Sequence, residues 1–199
     1  MIARELRNIP DSMAALPLDG RGLPVPHFVP WFDGEPDFSR VKPGALEFSH
    51  QNNLCWLCNE FLGVSKWFIL DDITRCINRT ASHLPSHRAC AEFAAKNYPC
   101  MTQAQHGCSC LWETNAYRVF TDLEGRITID IGEASGATFW CDGRKASQEQ
   151  VLESVRNSIG KLQAEAIGNG PMAMVELVRK VEDFRRWLDR VLPAVVPQH

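Results

Sequence analysis

Apolar and polar residues alternate most clearly in the middle of the chain. Ile127, Ile129 and Ile131 interleave with Thr128 and Asp130. That period of two sets one face of a strand against a core and the other in water. Tyr117 to Thr121 is also rich in strand formers, and Leu123-Glu124-Gly125 lies between the two runs, so a hairpin is predicted. Thr138 to Cys141 adds a third strand before Asp142-Gly143 turns the chain. Past residue 146 the period changes. Ser147 and Gln150 form a capping box, and Val151, Val155, Ile159, Leu162 and Ala166 follow at helical spacing. Gly168-Asn169-Gly170-Pro171 ends that helix and starts another, with Pro171 near its first position. The second helix carries Met174, Val178, Val181, Phe184, Leu188 and Val191 on one stripe, and Pro193 closes it.

Patterns upstream are shorter. Lys66 to Leu70, KWFIL, suits a strand. Ser86 to Asn97, SHRACAEFAAKN, reads as a helix with Ser86 as N-cap after Pro85, with Cys90, Phe93 and Ala94 on one face and Pro99 ending it. Before residue 45, Pro10, Pro17, Pro24, Pro26, Pro30, Pro36 and Pro43 forbid a long helix. There an extended segment from Val25 to Phe32 can fold back through Asp33-Gly34 onto Glu35 to Phe38. The expected architecture is α+β: a loop-rich segment (1–45), a cysteine-rich module (46–110), a small antiparallel β segment (111–146) and a C-terminal helical hairpin (147–193). If the hairpin's apolar stripes exceed what the sheet covers, they would make a homo-oligomer interface.

The chain has 199 residues, 45% hydrophobic, enough for one ordinary core or for one core plus a small satellite module. A formal net charge of -3 gives no global reason to expect nucleic acid or an anionic membrane. No run approaches the roughly 20 apolar residues of a membrane span, and the N-terminal MIARELRNIPDSMAALPLDG has no apolar h-region. A cytoplasmic setting is the default expectation, where thiols stay reduced and clustered cysteines read as metal ligands rather than disulfides.

Seven of the eight cysteines fall within residues 46–110. Cys55-Trp56-Leu57-Cys58 lets one tight turn aim two sulfurs at one ion, and His87-Arg88-Ala89-Cys90 places two more donors at a helix start, where the backbone favours thiolate. A turn-borne pair and a helix-borne pair separated by a short β segment make a treble-clef-like arrangement, and Cys3His suits Zn2+. Cys76 or Cys100 could replace His87, and Cys100, His106, Cys108 and Cys110 could close a second site. Otherwise those thiols lie in a surface loop, and Cys141 is a strand residue.

The region from Arg75 to Lys96 is the only locally basic stretch, with Arg75, Arg79, Arg88 and Lys96 against Glu92. With Trp56, Trp67 and Phe68 it could hold phosphate and stack a base, or it could be a solvated face over core aromatics. Cys76 could act as a nucleophile if His83 or His106 activated it, with Asn78 and Arg79 as ligand-binding neighbours. No Gly-rich phosphate loop, nucleophile elbow or His-Glu-x-x-His motif is present.

The runs LCWLCNEFLG and CINRTASHLPSHRACAEFAAKNYPC, with PHFVPWFDGEPDF upstream and FWCDGRKASQEQV downstream, resemble a family of uncharacterised phage and bacterial zinc-binding proteins. The resemblance runs from about Pro26 to the start of the first long helix. It implies that Cys55, Cys58, Cys76, His87, Cys90 and Cys100 share one pattern, to which the HGCSC run from His106 to Cys110 does not belong. It implies no activity. Two expectations follow: a zinc-stabilised binding or accessory protein acting on protein or nucleic acid, or an enzyme built around Cys76, Asn78 and Arg79 or an open zinc position.

Overall fold

A computed structural model describes residues 8–98, 107–121 and 127–192. A four-stranded antiparallel sheet lies at its centre, in the order β3 (Trp67–Leu70), β5 (Ser109–Glu113), β8 (Gly136–Cys141), β9 (Arg144–Lys145). The period of two assigns its faces. On one face Phe68 lies opposite Trp112 and Leu70 opposite Cys110, with Cys110 in turn opposite Phe139. These residues join the largest core cluster, together with Val151, Val155, Leu162, Phe184, Trp187 and Leu188 of the C-terminal helices. On the other face Trp67, Leu111 and Trp140 pack against Ala91 and Ala95 of helix α3 (Arg88–Asn97). Strand β5 is covered on both sides, which explains why Ser109 to Trp112 are all buried.

The C-terminal helices α4 (Gln148–Asn169) and α5 (Pro171–Val191) form the predicted hairpin, turning at Gly170. The Ser147/Gln150 capping box is present in both directions, and Pro171 stands in the first turn of α5. The α5 stripe differs in one position. Leu177 is buried with Val181, Phe184 and Leu188, whereas Val178 is exposed, because steps of four, three and four follow the helical repeat better than an unbroken count from Met174. At the turn of the hairpin Ile167, Met172 and Val175 are also exposed. Helix α4 lies close to the start of β5. The Cys108 amide donates to Ser154 Oγ at 2.9 Å, and a Cβ on Gly107 would meet that oxygen at 2.5 Å. With φ at +106°, position 107 suits glycine on both counts.

A second sheet, in the order β4 (Thr80–Ala81), β7 (Ile127–Ile131), β6 (Tyr117–Thr121), contains the predicted hairpin strands. The intervening Leu123-Glu124-Gly125 lies outside the described residues. The Thr138 to Cys141 strand joins the first sheet rather than this one. Upstream, β1 (Trp31–Phe32) and β2 (Glu35–Pro36) pair across Asp33 and Gly34, both at positive φ, as a two-residue hairpin requires. Two short helices had no sequence forecast: α1 (Ala45–Gln51), and α2 (Ile73–Asn78), capped by the Asp72 side chain on the Arg75 amide. Among the described residues no helix is long and apolar enough to cross a membrane.

Candidate metal centre

Leu54 and Phe61 bridge as in an antiparallel pair, and the chain between them is a tight turn. The Cys55 amide donates to the Glu60 carbonyl at 2.8 Å, the Asn59 amide to the Cys55 carbonyl at 2.9 Å, and Asn59 takes the left-handed conformation that asparagine tolerates. This turn presents Cys55 and Cys58 side by side. The other pair comes from the start of α3, where His87 is the N-cap residue and Cys90 the third helical position. Ser86, predicted as the N-cap, instead exchanges both backbone hydrogen bonds with Trp67 and continues the sheet. The helix begins one residue later, and the His87 amide points at Cys55 Sγ at 3.4 Å.

The structure thus brings Cys55, Cys58, His87 and Cys90 together, with their donor atoms all within 4.8 Å of one another. The three cysteines are buried and His87 is half-buried, so this Cys3His group could hold a metal ion. Outer contacts orient it. His87 Nε2 donates to the Phe61 carbonyl at 2.9 Å, which leaves Nδ1 as the nitrogen facing Cys58 Sγ (3.4 Å) and Cys90 Sγ (3.8 Å). Ser12 Oγ reaches Cys90 Sγ at 3.2 Å from the N-terminal 3-10 turn Asp11–Met13. The titration behaviour fits a site that wants a cation. Hydrogen bonding from Cys58 and then Cys90 drives the Cys55 thiol far below the ordinary range. The thiols of Cys58 and Cys90 are pushed up by facing it, and the His87 imidazole rises to about 9, chiefly through its interaction with Cys55. Three sulfurs this close cannot all ionise unaided, and a dication removes that conflict.

Cys76 is elsewhere. It sits in α2 within the main core, fully buried, and its thiol lies 3.7 Å from the Asp72 carbonyl. Burial, then the neighbouring Cys110, pushes its pKa well above the usual value. Cys108 and Cys110 are also core residues of or beside β5, not loop thiols, while Cys100 and His106 lie outside the described residues. Cys141 is in β8 as expected, its thiol raised to about 11, first by burial and then by Cys108 and Asp142. A Cys76→Ser change should therefore cost no more than about 1–2 kcal/mol, because a hydroxyl retains the Asp72 carbonyl as acceptor. Thermal melts beside Cys58→Ser check this, and equal losses would place Cys76 functionally at the metal centre.

The basic stretch separates into two environments. Arg88 pairs with Glu92 at 2.9 Å and stacks on Trp67, and Arg75 pairs with Asp71. The aromatics offered for base stacking are covered: Trp56, Trp67 and Phe68 are all buried. Arg79 differs. It ends α2 at φ +53°, and with Cys76, Asn78, Trp112 and the α5 residues Arg179, Lys180, Asp183, Phe184 and Trp187 it lines a cavity of about 130 Å³. The α5 residues gave no local signal, since they form the polar face of a helix whose packing partner is distant in sequence. No family model, curated protein or solved structure matches the chain.

Proposed function

We propose that the Cys3His group holds one zinc ion in a closed structural site of treble-clef type, and that the chain is a zinc-stabilised binding protein acting on protein or nucleic acid. The observation that carries this is the donor set itself: four side chains converge from a turn and a helix start. Separations of 3.4 and 3.8 Å from His87 Nδ1 to Cys58 and Cys90 bracket the roughly 3.6 Å edge of a tetrahedral zinc site. Four protein ligands leave no position for a water or substrate, which sets a structural zinc apart from a catalytic one. A reducing, cytoplasmic setting goes with thiolates of this kind, and the motif likeness to phage and bacterial zinc-binding proteins agrees with it.

The alternative reading, an enzyme around Cys76, Asn78 and Arg79, is supported by their shared cavity. It lacks an activated nucleophile. The Cys76 thiol is held protonated by burial, and among the described residues no histidine lines that cavity. Cobalt substitution tests the closed site. The Co2+ form should give one ion per chain, intense visible d–d bands of tetrahedral symmetry and thiolate-to-cobalt charge transfer, all unchanged by added azide. A spectrum that shifts with azide would mean an exchangeable position and would revive the catalytic reading.

A further inference from the structure

We propose that the cavity between the end of α2 and the side of α5 is a binding site for a phosphate group, with Arg79 as its central ligand. This deepens the binding-protein reading and rests on it, but it is independent of the metal centre.

Three observations meet at this place. First, Arg79 has no carboxylate or other hydrogen-bonding partner for its side chain among the described residues, whereas its neighbours do: Lys180 pairs with Glu176, Arg179 and Arg186 with Asp183, and Arg190 with Glu133. Secondly, Arg79 occupies a left-handed position at a helix C-terminus, φ +53°, ψ +47°, where glycine is the residue of choice. Its backbone is fixed there on both sides. Its amide donates back to the Cys76 carbonyl at 3.3 Å and its carbonyl accepts the Ile131 amide at 2.9 Å. An arginine at such a position gives up conformational ease and places a guanidinium at the cavity wall. Thirdly, Trp187 lines the same cavity at 2% exposure, and its indole Nε1 has no hydrogen-bond partner. Buried N–H donors are rarely left so.

Both groups are donors and one is cationic, so an acceptor-rich anion is the occupant that suits the cavity. A second cavity of about 450 Å³, lined by Arg79, Glu133, Asp183, Arg186 and Arg190, shares Arg79 and Asp183 with the first. Together the two present Arg79, Arg179, Lys180, Arg186 and Arg190 against Asp183 and Glu133. A chain of net charge -3 thus concentrates positive charge along one groove. Asp183 does not oppose an anion strongly, because its carboxylate is already engaged by two guanidiniums, which it also orients. Donors reach the inner cavity from α2 on one wall and from several turns of α5 on the other. That arrangement fits a tetrahedral oxyanion better than a planar carboxylate. The inner space is that of about four waters, room for one phosphate. Trp112, Phe184 and Trp187 expose no ring face on which a base could stack. The ligand is therefore recognised by its phosphate, whether a free phosphate or the backbone of a nucleic acid.

The test uses the full, zinc-loaded chain and Arg79→Gly. Glycine removes the guanidinium and suits the backbone, so the variant should melt at the same or a higher temperature. Inorganic phosphate and pyrophosphate are titrated calorimetrically, a labelled single-stranded oligonucleotide by fluorescence anisotropy at two salt concentrations, and oligo-glutamate serves as the carboxylate polyanion. The wild type should bind a phosphate probe, and Arg79→Gly should weaken it by about tenfold or more. Binding of pyrophosphate and the oligonucleotide alike points to a backbone site, whereas binding of the small ions alone points to a free phosphate. Three results would overturn the site: no phosphate probe bound by the wild type at about 10 mM, a ligand-affinity range far beyond specific recognition; equal binding by Arg79→Gly; or oligo-glutamate bound as tightly as the oligonucleotide. Oligonucleotide binding that survives in Arg79→Gly removes this site yet leaves the binding-protein reading standing, and the cobalt spectrum is untouched by any of these outcomes.

Discussion

Removing the zinc proposed for the Cys3His group, or replacing Cys58 with Ser, should unfold the N-terminal half of this protein while the C-terminal half keeps its packing. The cluster around the Cys3His group contains Met13, Leu23, Leu57, Leu62, Phe93, Ala94 and Tyr98 in addition to the three cysteines. These come from segments with little regular structure up to residue 62 and from one helix of ten residues with its C-cap Tyr98. Apolar area alone is a small reserve for so many irregular residues, each losing about 1–2 kcal/mol of backbone entropy on ordering. Structural zinc supplies an apparent ~10–16 kcal/mol at neutral pH, as large as the whole stability of an ordinary domain, ~5–15 kcal/mol. Losing it should therefore be decisive for this half. The other core, built on Phe68, Trp112, Phe139 and the two long helices, contains none of the four metal-site donors. Hydrogen exchange after treatment with a strong chelator should show Cys55, Trp56, Leu62 and Phe93 amides losing protection while amides of α4 and α5 keep theirs. An unchanged exchange pattern and melting temperature would show that the cluster carries no stabilising ion.

This division also explains what the sequence disclosed. The Cys55/Cys58 and His87/Cys90 pairs were legible because each is local: a two-residue spacing dictates a turn or one helical face whatever surrounds it. The helical hairpin was legible for the same reason, with a capping box at one end and a Gly-Pro junction between the helices. Misreadings arose where a distant partner decides the outcome. Ser86 has the right side chain for an N-cap, but its backbone is claimed by Trp67, and its hydroxyl is left without a partner. Cys108 and Cys110 are core residues beside and within β5, and nothing local reveals that this strand is covered on both faces. Helix α2 has only six residues, too few for a period to show. The cavity was half visible. Cys76, Asn78 and Arg79 are adjacent in sequence, whereas Arg179, Lys180 and Asp183 reach them only because α5 folds back over α2.

Replacing Trp112 with Ala should be the most damaging single change outside the metal centre. Trp112 is 1% exposed in β5, and its ring centroid lies 4.4 Å from that of Trp187 on α5, with Phe184 and Phe139 also against Trp187. Its indole Nε1 donates to the Gly132 carbonyl at 3.0 Å, tying the loop after β7 to the same point. One side chain thus joins the central sheet, the helical hairpin and the smaller sheet's exit. A buried Trp→Ala change costs about 3–5 kcal/mol through lost transfer energy and the cavity left behind, and the aromatic contact adds about 0.5–1.5 kcal/mol. The Gly132 carbonyl would also lose its donor. Urea unfolding of the metal-loaded protein should show this loss, while Val64→Ala, at an 81% exposed position, should stay within about 0.5 kcal/mol of wild type. Trp112 also lines the cavity that holds Arg79, so the vacated space should open onto it and the variant should bind a phosphate probe less tightly even where it remains folded. A loss below about 1 kcal/mol, typical of a surface change, would mean that the hairpin is anchored elsewhere along its stripe. Leu162, Leu177 and Val181 would then be carrying the docking that the geometry assigns to the Trp112–Trp187 contact.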